Sequence, residues 1–182
     1  TNVAIKANKN YVTYAGDTLV AKAFTFTLTP FDSDAGTWST EPSKKITSFN
    51  GAITGSEADE IFFNLPTFTE KSVGKSYYYL MEEVAGSDTL ITYDEKKYVI
   101  KVDVADNGNG SLKATVTYAE YEEGNTDFTG YTFEEYTTTE GGAATDKIPT
   151  FTNTKTAEGD TDIDFSKSLE YGDADNSYGN KD

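Results

Sequence analysis

The side chains that could do chemistry in this chain are carboxylates, lysines and amides, because cysteine and histidine are both absent. Without cysteine there is no disulfide, no thiolate metal site and no thiol nucleophile. Without histidine there is no Ser-His-Asp triad and no imidazole ligand or base. The basic residues number 15, all of them lysines. The composition therefore excludes thiol and triad enzymes, and we expect neither a metal ion nor an organic cofactor.

Two adjacent pairs of acids, Glu82–Glu83 and Glu134–Glu135, could suggest the paired carboxylates of a glycosidase. Neighbouring residues of a strand point to opposite faces of a sheet, so neither pair can flank one glycosidic bond. The acidic segment Asp103 to Ser111 lacks the spacing and the closing glutamate of a calcium loop. A hairpin turn accounts for its glycines. Trp38, in a polar loop, is the one aromatic residue that could face a ligand.

The formal net charge is -16 over 182 residues. Affinity for nucleic acid depends largely on lysine and arginine neutralising phosphates, so nucleic acid is an improbable partner. An anionic membrane surface is disfavoured by the same charge. No apolar run approaches the ~20 residues of a spanning helix, and we expect no membrane insertion of this segment.

Alternating apolar and polar residues run through most of the chain and predict an all-β protein. The clearest strand is Tyr98 to Val104, and the turn residues 106–110 join it in a hairpin to a strand that begins at Leu112. Pro30 is expected to end the strand that precedes it. Further strands are predicted at Val3 to Tyr11, Phe24 to Leu28, Ile46 to Ile53, Ile61 to Leu65, Ser76 to Val84, Gly130 to Thr137 and Ile148 to Thr156.

A change of composition divides the chain into a body, residues 1–156, and an acidic tail, residues 157–182. The tail is rich in Gly, Asp and Asn, which is typical of a linker. Within it, Ile163 to Leu169 alternates apolar and polar residues and aligns with Ile5 to Tyr11. The tail is therefore either an acidic linker or the first strand of a following repeat domain.

Five segments of the body together carry a family resemblance. They are the early strand with Lys9, Phe24 to Leu28 (FTFTL), Tyr77 to Gly86 (YYYLMEEVAG), Ile91 to Val116 and Phe151 to Thr154 (FTNT). In order and spacing they resemble the pilin isopeptide-linkage domains of Gram-positive surface proteins, which include streptococcal pilins and adhesin stalks. Each segment alone is weakly diagnostic, but the ordered set is specific.

The resemblance implies an Ig-like, CnaB-like β-sandwich of mostly antiparallel strands that crosslinks itself. In this family a lysine amine from the first strand attacks the side-chain amide of an asparagine on the last strand, and ammonia leaves. A buried carboxylic acid polarises the amide carbonyl and shuttles protons. The positions that match are Lys9 for the amine, Glu83 for the acid and Asn153 for the amide.

The choice of lysine stays open between two residues of the first strand. Lys9 is in phase with Ile5 and Tyr11, so it falls on the face that carries apolar residues, whereas Lys6 falls on the other face. A bulge would reverse the phase, and Lys6 therefore remains the alternative. By the same period Glu83 shares a face with the large apolar residues of its strand.

By resemblance the chain is a structural domain of a Gram-positive cell-surface protein, a pilus backbone or an adhesin stalk, and not an enzyme. The bond forms once, within the domain itself. The location implied is extracellular, at the cell surface or cell wall, with neighbouring domains or pilin subunits as partners and a possible host ligand. The alternative is a carbohydrate- or host-ligand-binding adhesin module, which predicts an exposed aromatic site near Trp38.

Overall fold

The computed structural model describes residues 1–13, 20–49, 59–138 and 147–156. Within these ranges the chain forms eleven strands and two single-turn 3₁₀ helices, Pro42–Lys44 and Glu70–Ser72. The strands in chain order are β1 (Ala4–Val12), β2 (Thr25–Asp32), β3 (Thr37–Trp38), β4 (Ile46–Phe49), β5 (Asp59–Asn64), β6 (Lys75–Val84), β7 (Ile91–Thr92), β8 (Lys97–Asp106), β9 (Leu112–Glu120), β10 (Glu134–Glu135) and β11 (Thr150–Lys155). The acidic tail and the last four residues of the strand predicted at Ile46 to Ile53 lie outside the described residues.

The strands form a four-stranded sheet and a seven-stranded sheet. The smaller has the order β5-β1-β11-β7, and the larger has the order β10-β9-β8-β6-β2-β3, with β4 also paired to β2. β1 runs parallel to β11, whereas the other strand pairs of the described residues are antiparallel. The predicted all-β, Ig-like and CnaB-like sandwich is confirmed. The first and last strands lie side by side in its smaller sheet.

The core lies between the two sheets and is lined by alternate residues of each strand, as the period of two requires. On β1 the inward residues are Ile5, Ala7, Lys9 and Tyr11, all of them buried. Aromatic rings join the two layers: the ring centroids of Phe26 on β2 and Phe151 on β11 are 5.4 Å apart. The same alternation that buries the apolar residues of β1 therefore carries one lysine into the core.

β2 does not end at Pro30, as the sequence suggested, but continues to Asp32. Proline lacks only an N–H donor, and its carbonyl still accepts a hydrogen bond from the N–H of Ser39 at 2.9 Å. Phe31 and Asp32 then pair with the short strand β3. A proline is tolerated here because the strand pairing does not need its missing donor.

Trp38 packs into an aromatic cluster and does not stand free in a loop. Its ring centroid lies 5.2 Å from that of Phe31 and 5.8 Å from that of Phe128. Its indole N–H donates to the hydroxyl of Tyr121 at 3.4 Å. Phe128 in turn stacks on Tyr78 of β6 at 3.9 Å. The cluster covers the outer face of the larger sheet, so the indole serves packing there.

Candidate functional site

Three side chains from distant parts of the chain meet in the core between the sheets. Lys9 lies on β1, Glu83 near the end of β6, and Asn153 on β11. Lys9 and Asn153 are fully buried, and the side chain of Glu83 is too, although the residue as a whole retains some exposure. Buried polar groups require partners inside the protein, and these three find them in one another.

Strand register explains why Lys9 and Asn153 are close. In the parallel pair of β1 and β11, Lys9 lies opposite Phe151 and Tyr11 lies opposite Asn153. All four of these residues are buried, so the two strands turn the same face inward. Glu83 reaches them from the opposite sheet, because it follows the buried Met81 by two residues.

The Glu83 carboxyl group bridges the other two side chains. Its Oε2 lies 2.6 Å from the Lys9 amine nitrogen, Nζ. Its Oε1 accepts a hydrogen bond from the Asn153 amide nitrogen, Nδ2, at 2.5 Å. One carboxyl group therefore contacts both a nucleophilic nitrogen and the nitrogen that would leave if the amide were attacked.

The oxygen of the Asn153 amide has a different partner. Oδ1 accepts a hydrogen bond from the backbone N–H of Asp94, in the loop between β7 and β8, at 2.8 Å. A backbone N–H can only donate, so the amide atom that faces it must be the oxygen. This contact fixes the orientation of the amide, with nitrogen toward Glu83 and oxygen toward Asp94.

Lys6, the alternative lysine, lies on the outer face of β1, away from Glu83 and Asn153. Its amine is 3.4 Å from a carboxylate oxygen of Glu60 on β5 and 5.0 Å from the ring centroid of Phe62. The side chain is about a quarter exposed, at 24%. Its surroundings are those of a partly solvated surface charge.

The other acidic candidates of the sequence lie elsewhere. Glu134 and Glu135 are exposed on β10. In the hairpin turn Asp106 accepts a hydrogen bond from the N–H of Gly108, so its carboxylate serves the turn. Among the described residues no three or more potential metal-ligating side chains cluster together. No helix in the same residues has the length and apolar character needed to cross a bilayer.

Residues 5–156 match a family model described as the Spy0128-like isopeptide-containing domain, FctA. The chain belongs to this family. Membership makes it a structural isopeptide domain of the pilin type, not an enzyme with a turnover substrate, in agreement with the sequence. None of the curated proteins matches the chain in sequence at a significant level.

Solved structures with a similar fold include two pilins of Streptococcus pyogenes. The major pilin protein (T-13) from serotype GAS131465 is 19% identical, with a TM-score of 0.47, and the match covers 85% of this chain and 53% of that one. A second major pilin from Streptococcus pyogenes is 17% identical, with a TM-score of 0.50, and the match covers 84% and 50%. The isopeptide domain described here thus spans about half the length of these pilins.

Burial in the isopeptide domain acts on both ionisable groups of the site in the direction that favours their neutral forms. Desolvation lowers the pKa of Lys9 below its ordinary value, against the opposing effect of the Glu83 hydrogen bond. Desolvation also raises the pKa of Glu83, and here the hydrogen bonds from Lys9 and Asn153 oppose it. A neutral amine is a nucleophile and a protonated acid is a proton donor, so both shifts favour acyl transfer.

Aromatic rings close the isopeptide domain's site against water. The amine of Lys9 lies 4.8 Å from the ring centroid of Phe24 and 5.8 Å from that of Phe26. Phe24 is in turn packed edge-on against Tyr11 and Tyr93. These rings supply the apolar surroundings that shift the two pKa values, and they stabilise whatever fraction of the amine is charged.

Asp94 is the residue of the site that sequence reasoning missed. Its backbone N–H contacts Asn153, and its carboxylate accepts the N–H of Thr152 at 2.6 Å. A loop residue has no alternation from which its direction can be deduced. The available signal was local: aspartate favours turns in which its carboxylate accepts a nearby backbone N–H. Asp94 does so with the N–H of Lys96 at 2.9 Å.

Proposed function

We propose that this chain is a force-carrying structural domain of a Gram-positive surface protein, a pilus backbone or an adhesin stalk. In it, Lys9 and Asn153 become joined by an isopeptide bond, and Glu83 promotes the reaction. The observation that carries the proposal is the single buried carboxyl group in contact with both the Lys9 amine and the Asn153 amide nitrogen. An external substrate cannot reach this arrangement, because all three side chains are enclosed in the core.

The reaction proceeds from a neutral amine and a protonated acid. Nζ of Lys9 adds to Cγ of Asn153, which makes a tetrahedral carbon, and the bond from Cγ to Nδ2 then breaks. The proton lost by Nζ goes to one oxygen of Glu83, and the proton on its other oxygen goes to Nδ2, which leaves as ammonia. The carboxyl group ends protonated as it began, so the products are one amide bond and one ammonia molecule.

Folding itself supplies the proximity that the reaction needs. In the unfolded chain the amine and the amide are separated by about 144 residues, whereas in the sandwich both lie against the same carboxyl group. Well-oriented groups reach effective molarities of order 10⁵ M or more. The aromatic rings around the amine exclude the water that would otherwise solvate and protonate it.

The position of the bond suits a domain that is pulled from its two ends. β1 and β11 are the first and last strands of the body, and they are neighbours in the same sheet. A bond between them passes tension from one strand to the other without loading the hydrogen bonds of the rest of the sandwich. This supports a place in a stalk or shaft, with neighbouring domains or pilin subunits as partners, at the surface or in the wall of the cell.

Pulling experiments on single molecules test the mechanical part of the proposal. When tension is applied through residues before β1 and after β11, the linked domain should release none of the chain between Lys9 and Asn153. A Lys9→Ala variant should unfold and release about 145 residues, roughly 500 Å of contour length at ~3.4 Å per residue. The Lys6→Ala variant is the matched control and should behave like the parent. Release of that length by the parent chain would overturn the proposal.

A further inference from the structure

The Asn153 carbonyl oxygen is the atom on which negative charge develops during the proposed reaction. When an amine adds to Cγ, the electrons of the C=O bond move to Oδ1 and form an oxyanion. The Glu83 carboxyl group is not placed to bind this oxygen, because it faces the nitrogen side of the same amide. The hydrogen bond to Oδ1 comes from the N–H of Asp94 at 2.8 Å.

We propose that the backbone N–H of Asp94 is the oxyanion donor of the crosslinking reaction and that the Asp94 carboxylate holds it in position. The inference deepens the proposed function and rests on it. It divides the work that one acid was expected to do: Glu83 moves protons between the two nitrogens, and Asp94 polarises the carbonyl. No further bond forms or breaks, and the hydrogen bond to Oδ1 strengthens as its negative charge grows.

The Asp94 carboxylate fastens the loop to the strand that carries Asn153. One oxygen accepts the N–H of Thr152, the residue directly before Asn153, at 2.6 Å. The other accepts the N–H of Lys96 at 2.9 Å, within the loop itself. On the other side of Asn153, Thr154 pairs with Thr92 of β7. Loop and strand are therefore joined on both sides of the reacting amide.

This attachment keeps the donor in place before the reaction begins. A donor that is already oriented costs no reorganisation when the oxyanion forms, and its hydrogen bond is stronger in a buried, water-poor site than in solution. Desolvation is the main cause of the raised pKa of Glu83, and the Asp94 charge adds to it, although the same charge also raises the pKa of Lys9 against the effect of burial. Each of the two Asp94 carboxylate oxygens accepts one backbone N–H, that of Thr152 or that of Lys96.

The test replaces the backbone amide of Asp94 by an ester and leaves its side chain unchanged. The full chain is assembled by chemical ligation in denaturant, so that it is unfolded and unlinked until dilution starts folding. An ester at Gly108 is the matched control, because it removes a backbone N–H that donates to an aspartate carboxylate in the turn between β8 and β9, outside the site. Loss of ammonia is followed by mass spectrometry, and folding is followed separately by near-ultraviolet circular dichroism.

The ester at Asp94 should slow crosslinking about 10²–10³-fold relative to the ester at Gly108, the usual effect of removing one oxyanion donor. Equal rates for the two folded esters would overturn the role of Asp94. If the Asp94 ester does not fold, NMR decides instead: in unlinked Lys9→Ala protein, scalar coupling between the Asp94 amide nitrogen and Asn153 Cγ is expected, and its absence contradicts the proposal. Failure of the unmodified chain to lose ammonia would instead refute the proposed function.

Discussion

A Glu83→Gln variant is expected to fold but to lose ammonia far more slowly than the parent chain, so that its mass stays at that of its sequence while the parent becomes crosslinked. Glutamine has nearly the shape of glutamate, so the sandwich can still form, but its amide cannot take a proton from Lys9 and pass one to Asn153. Loss of a positioned acid-base group slows a reaction by about 10²–10⁴-fold. Intact mass measured at intervals after refolding gives the rate directly.

The neighbouring acid provides a matched control for that experiment. Glu82 lies on the opposite face of β6, where its carboxylate accepts from the Thr27 hydroxyl at 3.3 Å and lies 3.5 Å from the Lys45 amine. A Glu82→Gln variant should therefore lose ammonia as fast as the parent. Crosslinking of the Glu83→Gln variant at the rate of the Glu82→Gln variant would exclude a role for Glu83 in proton transfer.

Loss of the bond should also cost the domain much of its stability. A link that closes a loop of about 145 residues restricts the unfolded chain and contributes about 5 kcal/mol, by analogy with a disulfide of that span. Lys9→Ala alone would exaggerate the loss, because it leaves the Glu83 carboxyl group buried without its partner. The variant to compare is therefore Lys9→Met combined with Glu83→Gln, which removes the bond and both ionisable groups.

Guanidinium unfolding of this double variant should give a free energy of unfolding about 5 kcal/mol below that of the linked chain. The Lys6→Met variant changes the same residue type on the outer face of the same strand and should stay within about 1 kcal/mol of the parent. A double variant as stable as the parent would mean that no covalent link spans the two strands.

Much of the site could be predicted because it lies on regular strands. The period of two places Lys9 with Ile5 and Tyr11, and it places Glu83 with Met81, without any knowledge of how the strands pack. In the structure these residues are indeed on inward faces. What the period cannot give is the partner on another strand, because register depends on the packing of the whole sandwich.

The remaining part of the site depends on a loop, and a loop lacks the apolar–polar alternation from which the direction of a strand's side chains can be predicted. Asp94 is held by a local hydrogen bond from the N–H of Lys96 and by a long-range one from the N–H of Thr152, and the second exists only once β11 is in place beside the loop. The orientation of the Asn153 amide depends on Asp94 in turn, so the division between proton transfer and carbonyl polarisation is visible only in three dimensions.

Trp38 is a second place where local pattern was insufficient. The sequence predicts a loop there, but Trp38 lies on β3 and packs against Tyr121 and Phe128. The sequence did not predict this packing, because the aromatic residues of the polar segment 119–147 do not alternate regularly with polar ones. Clusters of this kind arise from long-range contacts that a local pattern does not encode.

The intact mass of the folded parent chain shows whether the Lys9–Asn153 bond forms. We expect a mass lower than that of the sequence by one ammonia molecule, and after proteolysis a branched peptide that joins Lys9 to Asn153. A mass equal to that of the unmodified sequence would refute the crosslink. A branched peptide that contains Lys6 in place of Lys9 would contradict the assignment of the lysine.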